Sequence, residues 1–344
     1  MVVIDTHTHF QPRAVLDVVA PFGITMTERA DGRYLFRSGD LEYVIPGSPN
    51  AFWGDGLADR VAQMDAAGVD IQVLQPSPLV FNLHLPAAVN ARFSRAFNEQ
   101  TAALIAAFPE RFWGSAHLPV QDPVLAAAEL EHAVTQLGFR SCTIDFVTGG
   151  GRTLAAPEYE PLLAAAQALD VPIQLHPVPL GQTMDLVAAG APWLAEHQTD
   201  WAWGYLFGET VAVAGLILGG VLDRFPALRF SVPHGGGMIP YHLGRLERHA
   251  EIIGGVTRPI AEYLPSFFFD TVVHDPRALV FLIQMMGDQQ VVLGTNHPGW
   301  DDFPGWDVVR GLPGISDEAK ARILGQNAAT RLFASQHVTT HDQT

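Results

Sequence analysis

Short apolar runs alternate along this chain with longer stretches of helical periodicity. Val2-Val3-Ile4 opens the series, followed by Val69–Leu74, Arg111–Leu118, Phe139–Ile144, Val171–Leu175, Leu228–Val232, Phe267–Thr271 and Val291–Leu293. Each is short and mostly apolar, as expected of strands covered on both faces of a parallel sheet. Between them lie Leu57–Ala67, Ala87–Phe108, Val124–Leu137, Tyr159–Leu169, Glu209–Phe225, Met238–Glu251 and Arg277–Met286, which read as helices. Strands alternating with helices in this way predict an α/β protein, a (β/α)8 TIM barrel. A doubly wound sheet would also alternate, but no Gly-x-Gly-x-x-Gly fingerprint follows the first strand.

Two stretches break the rhythm. Residues 12–54 are polar and rich in Gly and Pro, and contain alternating runs at Arg33–Phe36 and Glu42–Ile45. They read as an insertion after strand 1 carrying a β-hairpin. Residues 177–203 form a long loop after strand 5 with Trp193, Trp201 and Trp203. Loops at the C-terminal ends of barrel strands build active sites, so this one reads as a substrate lid or subunit contact. The expected organisation is one barrel domain over 1–334 and a flexible polar tail over 335–344.

Composition narrows the function. A net charge of −16 argues against a nucleic-acid partner and against an anionic membrane surface. The longest apolar stretch, Val211–Leu222, is too short to span a bilayer. Cys142 is the one cysteine, which fits a reducing compartment, and no basic leader precedes Asp5. A cytoplasmic location is expected. Lys320 is the sole lysine. Charged residues are 16 % of the chain, which permits a buried subunit interface.

The candidate chemistry lies in histidines at strand ends. His7-Thr8-His9 falls where strand 1 should finish, and residues i and i+2 of a strand point the same way. Two imidazoles can therefore converge as metal ligands. An isolated His-x-His is more often an accidental surface pair, but one ending a first barrel strand favours ligation. His176 ends strand 5 and His234 ends strand 6, where barrels place catalytic groups. Gly235-Gly236-Gly237 follows His234, and these glycines are expected to leave the backbone open to a ligand or anion. Strand 8 ends in Thr295-Asn296-His297-Pro298. A carboxylate there could hold a metal and accept a proton from bound water.

These segments resemble the amidohydrolase superfamily, in the branch of 2-amino-3-carboxymuconate 6-semialdehyde decarboxylase. The matching residues are Ile4-Asp5-Thr6-His7-Thr8-His9, Arg60–Gly68, Leu216–His234 and its glycines, Gly244-Arg245, Ser266–Pro276 and Val291–Pro298, in order along nearly the whole chain. The resemblance implies one divalent metal, zinc with manganese as the alternative, held by His7, His9 and His176, with Asn296 at the position of the family's aspartate. It implies that His234 is the acid/base, that Arg245 meets a substrate carboxylate, and that the protein is a homodimer. Superfamily members with two metals bridge them by a carboxylated lysine at the end of strand 4. Phe139–Asp145 has no lysine, so a single metal is expected.

Asn296 departs from that pattern. An amide oxygen can ligate a metal but accepts no proton at neutral pH. An introduced change, a natural lineage with altered chemistry, and a catalytically impaired chain that binds small acids are all open. The leading expectation is a metal-dependent, non-oxidative decarboxylase, a carboxy-lyase acting on a small anionic aromatic or unsaturated acid. A hydrolase or hydratase on the same barrel is the alternative. Trp203, Phe81 and His297 are candidate substrate contacts, with Trp53, Trp193 and Trp201 as further lining, and Arg140 and Arg37 as further cations.

Overall fold

The computed structural model describes residues 1–31, 33–38, 41–45, 57–148, 151–178, 199–298 and 304–334. Eight parallel strands form one sheet: β1 (Ile4–Phe10), β5 (Ile71–Pro76), β6 (Phe112–Ala116), β7 (Ser141–Ile144), β8 (Ile173–Leu175), β9 (Phe230–Val232), β10 (Phe267–Asp270) and β11 (Val291–Val292). The order is sequential, and every pairing from β1 through to β11 is parallel. The segment beyond β11 then returns to β1. Thr6 N donates to Leu293 O, Asn296 N to His7 O and His9 N to His297 O, each at 2.8–2.9 Å. These bonds bring the first and last strands together and complete a (β/α)8 TIM barrel.

Helices fill the spaces between strands at the positions the periodicity predicts: α1 (Ala58–Ala67), α2 (Ala87–Ile105), α3 (Pro123–Leu137), α4 (Glu160–Ala168), α5 (Tyr205–Leu218), α6 (Ile239–Ile253) and α7 (Pro276–Met286). Local chemistry sets several boundaries. Asp122 caps α3 by accepting from Val124 N and Leu125 N, and Pro123 takes the first helical position. Asp275 and Pro276 do the same for α7, so that part of the family-like Val273–Pro276 segment is a helix start. The core packs the outer faces of the strands against the helices, with Phe112, Phe230, Phe267 and Phe269 fully buried. Among the described residues, no helix is long and apolar enough to cross a membrane.

The insertion after β1 differs from the expected two-stranded hairpin. It carries three antiparallel strands, β2 (Thr25–Glu28), β3 (Tyr34–Ser38) and β4 (Leu41–Ile45), in the order β2-β3-β4. Phe36 is buried in a separate cluster with Val15, Val19, Val80 and Phe93, which docks this sheet on α2. Ile24-Thr25-Met26-Thr27 alternates, with Ile24 and Met26 turned to the insertion's own cluster, but the run is too short to stand out as a strand. Trp53, Trp193, Trp300, most of the 177–203 loop and the 335–344 tail lie outside the described residues, as does the Trp201 side chain.

Candidate metal centre

Four histidines meet at the C-terminal mouth of the barrel. The rings of His7 and His9 are 5.1 Å apart, those of His7 and His176 5.2 Å, those of His9 and His176 5.0 Å, and those of His7 and His234 5.3 Å. Strand alternation carries His7 and His9 inward together, as the His-x-His spacing predicts. Ligand-capable atoms of His7, His176 and His234 lie within 4.8 Å of one another. His9 stands outside that trio but packs edge-on against His7 and His176. The expected ligand set took His9 and gave His234 another role; the four rings cluster, while the ligand atoms that lie together are those of His7, His176 and His234.

Each ring is oriented by a partner on its other side. His7 Nδ1 is 2.6 Å from Asp270 Oδ2. A carboxylate only accepts, so Nδ1 carries the proton and Nε2 presents a lone pair. His176 Nδ1 is 2.8 Å from Pro177 O, which fixes the same tautomer. His234 Nδ1 is 2.6 Å from Oε1 of Glu209, a fully buried acid on α5. His9 is hydrogen-bonded by the Asn296 side chain. His7 Nε2, His9 Nδ1 and His176 Nε2 are buried and meet no protein partner. Ligand atoms of three imidazoles come together here, and the Nε2 atoms of two of them, His7 and His176, are buried without a partner, so the residues fit a divalent metal.

Electrostatics favour the ligating form. Burial, reinforced by neighbouring rings, pushes the pKa of His9 and His176 well below the usual imidazole range, keeping both neutral. Burial would raise Asp270, but the His7 ring, the nearby His234 and backbone N–H groups outweigh it and hold the carboxyl below its ordinary value. Under the centre, Asp5 is pushed up to about 7 by burial, against the opposing bonds from Thr295 and His7 N. Asp5 accepts from Thr295 Oγ1 at 2.6 Å and from Gln72 Nε2 at 3.2 Å. Buried Arg60 donates to Gln72 Oε1, His9 O and His297 O. This network ties β1, β5 and the turn after β11, where buried Asn296 sits at φ 56°.

The other sequence candidates have the following surroundings. Arg245 and Trp203 are exposed. His297 is half-buried and turns its Nε2 to Gln63 on α1. Phe81 is buried in the core, with its ring 6.1 Å from that of His117. Arg37 pairs with Glu42 on the insertion sheet, and Arg140 stacks over Trp113 just ahead of β7, at the opposite end of the barrel. The triple glycine also differs from expectation. A Cβ would meet Val273 Cγ1 at 2.5 Å from position 235, Phe269 Cδ1 at 2.4 Å from 236 and Leu206 O at 2.2 Å from 237. Their N–H groups bond Asp270, Pro233 and His234. The glycines seat the His234 turn against its neighbours and offer no free anion nest.

Asp270, Glu209 and Tyr205 escaped the sequence reading. Tyr205 packs its ring 5.8 Å from His176 and 5.9 Å from His234. The acids carried a usable signal: Asp270 ends Phe267-Phe268-Phe269-Asp270, and Glu209 is the lone charge in the apolar helix Tyr205–Leu218.

A family model described as amidohydrolase matches residues 4–333. The chain belongs to that family. It is 29 % identical over 279 residues to 2-amino-3-carboxymuconate-6-semialdehyde decarboxylase of Dictyostelium discoideum, covering 78 % of this chain and 74 % of the relative. It is also 29 % identical to 2-keto-4-carboxy-3-hexenedioate hydratase of Sphingobium, over 70 % of this chain and 69 % of that one. Among solved structures it resembles 5-carboxyvanillate decarboxylase of Sphingomonas paucimobilis, with a TM-score of 0.80 and 26 % identity over 96 % of this chain and 98 % of the other. Dihydroxybenzoic acid decarboxylase of Polaromonas, a structure with bound manganese, shares the fold at a TM-score of 0.76 and 24 % identity over 96 % of both chains.

Proposed function

We propose that this amidohydrolase-family protein is a metal-dependent, non-oxidative decarboxylase of a small carboxylated aromatic or unsaturated acid. The clustered rings of His7, His9, His176 and His234, with one nitrogen each of His7, His9 and His176 unpartnered, carry the reading. His7, His9 and His176 would hold one divalent ion, zinc or manganese, with the Asn296 amide oxygen beside them. When bound, the ion supplies positive charge against which the substrate's carboxylate or a neighbouring oxygen is oriented.

The proton chemistry falls to His234. Asn296 accepts no proton, whereas His234 has a buried carboxylate at Nδ1. Glu209 stabilises the imidazolium and aims its Nε2–H at the substrate. As the bond to the carboxyl carbon breaks, its electron pair remains on the substrate carbon, and that carbon takes the proton from His234. Tyr205 and the buried barrel mouth exclude water, where fixed charges act most strongly.

The same reading takes residues 1–334 as one domain and places the protein in the cytoplasm, consistent with its single, buried, unpaired Cys142. It also takes the protein as a homodimer. Tyr241, Ile252 and Ile253 on α6 and Phe281 and Met285 on α7 are exposed large apolar residues, and the Tyr241 and Phe281 rings lie 6.0 Å apart. Light scattering giving twice the chain mass supports this, and a monomer at micromolar concentration contradicts it. Release of CO2 from carboxylated aromatic acids by metal-loaded protein tests the activity. Water addition without CO2 would move the assignment to a hydratase.

A further inference from the structure

The histidines of the centre differ in what backs them. His7 Nδ1 faces Asp270 and His234 Nδ1 faces Glu209, a carboxyl group in each case. His176 Nδ1 donates instead to the carbonyl of Pro177, a neutral acceptor, at 2.8 Å. The peptide that carries this carbonyl continues to Val178, whose N–H donates to Asp145 Oδ2 at 3.1 Å. In a trans peptide the C=O and the N–H point in opposite directions. One peptide group therefore has the His176 ring on one side and an acid on the other.

The fold holds this arrangement in the interior. Asp145, His176 and Val178 are all buried. Asp145 directly follows β7, and β7 pairs with β8, the strand that runs into His176. His176 N donates to Ile144 O at 2.9 Å, which keeps the two strand ends in register. The other carboxyl oxygen, Oδ1, accepts from Val147 N at 3.2 Å, a turn contact two residues on. The bond to Val178 spans 33 residues, and that turn does not require it.

We propose that Asp145 is a positioning residue for the metal centre, acting on His176 through the Pro177–Val178 peptide. A charged acceptor on the N–H pushes electron density toward the carbonyl oxygen, and hydrogen bonds in series strengthen one another at low dielectric. The Pro177 oxygen then accepts more strongly from Nδ1–H. This holds the ring in the tautomer that presents Nε2, and makes Nε2 more basic. A carboxylate bonded directly to a ligating histidine has the same effect. His7 receives it from Asp270 across one hydrogen bond, His176 from Asp145 across two. Pinning Val178 N–H also fixes the peptide plane, so the carbonyl cannot swing away from the ring. The inference rests on the metal reading and names a residue that supports it.

The test breaks the relay at either end. Asp145→Asn keeps the shape and removes the charge. Val178→Pro keeps the carboxyl group and removes the N–H, so it reads the same bond should Asp145→Asn not fold. Val178→Ala keeps the relay and is the control. Zinc affinity is measured by competition against a chromophoric chelator, and the ring state by nitrogen NMR of metal-free, histidine-labelled protein. Asp145→Asn and Val178→Pro should each weaken zinc about three- to tenfold, less than the 10–100-fold typical of a direct partner. The two losses should not add in the double variant, because both break one path. The His176 Nδ1–H signal should move in both, while that of His7 stays. Val178→Ala should match wild type in both readings. Affinity within about twofold of wild type in both variants, losses that add, or a His7 shift as large as that of His176 overturns the relay and leaves the metal reading standing. A wild type that takes up no zinc or manganese overturns the metal reading instead, and the His176 signal then decides the relay by itself.

Discussion

Replacing Asp270 by asparagine preserves the side chain's size and removes one acceptor. Asp270 uses both oxygens: Oδ2 faces His7 Nδ1 at 2.6 Å, and Oδ1 accepts from Gly235 N at 3.1 Å and Val272 N at 3.0 Å. An asparagine has one oxygen for these three donors. With that oxygen on the backbone amides, its NH2 faces His7 Nδ1, which must then accept, and the ring proton moves to Nε2. That is the nitrogen otherwise unpartnered at the centre. With the oxygen on His7 instead, the NH2 opposes two buried N–H donors. Loss of such a ligand-orienting contact typically weakens metal binding by about 10–100-fold, or about 1.4–2.8 kcal/mol. The assay is competition for zinc or manganese against a chromophoric chelator, with circular dichroism confirming the fold. An affinity within about threefold of wild type in folded Asp270→Asn would refute the claim that Asp270 sets the His7 tautomer.

Three further outcomes are expected. His117 is buried, with its pKa lowered to about 4 by burial. The unfolded chain therefore takes up a proton near pH 6.5 that the folded chain refuses, and stability falls as pH drops from about 6.5 to 4, by about 3 kcal/mol in all from this group. Urea titrations should show a shallower acid loss in His117→Gln; an unchanged slope would contradict this. Gly237→Ala puts a Cβ 2.2 Å from Leu206 O at φ 61°, so it should cost about 2–3 kcal/mol and displace His234; a denaturation midpoint equal to wild type would contradict it. Asn296→Asp should tighten metal binding by at least about tenfold, because a carboxylate replaces a neutral amide beside a dication; equal affinity, read by the same competition, would show that residue 296 stands away from the ion.

The barrel was legible because buried parallel strands are short and apolar, and because helices between them repeat at 3.6 residues. The histidines were legible for a related reason: ring positions at strand ends follow from strand periodicity, and His7, His9, His176 and His234 do meet. What remained hidden depends on contacts between distant elements. Asp270 and Glu209 reach their histidines across 263 and 25 residues. Gly235–Gly237 looked like an open nest because a sequence does not show that Val273, Phe269 and Leu206 fill the space beside them. Arg245, Trp203 and His297 were placed by resemblance or proximity to a motif; in the fold Arg245 and Trp203 are exposed, and His297 turns its Nε2 to Gln63.

The central claim is that a single divalent ion at these histidines drives loss of CO2. Its most direct measurement is release of labelled CO2 from carboxyl-labelled hydroxybenzoates, before and after stripping the protein and reloading it with one equivalent of zinc or manganese. The account predicts release that stops on stripping, returns on reloading and is abolished in His176→Ala. CO2 release indifferent to the metal, or a loaded protein that hydrates substrate without releasing CO2, would contradict it.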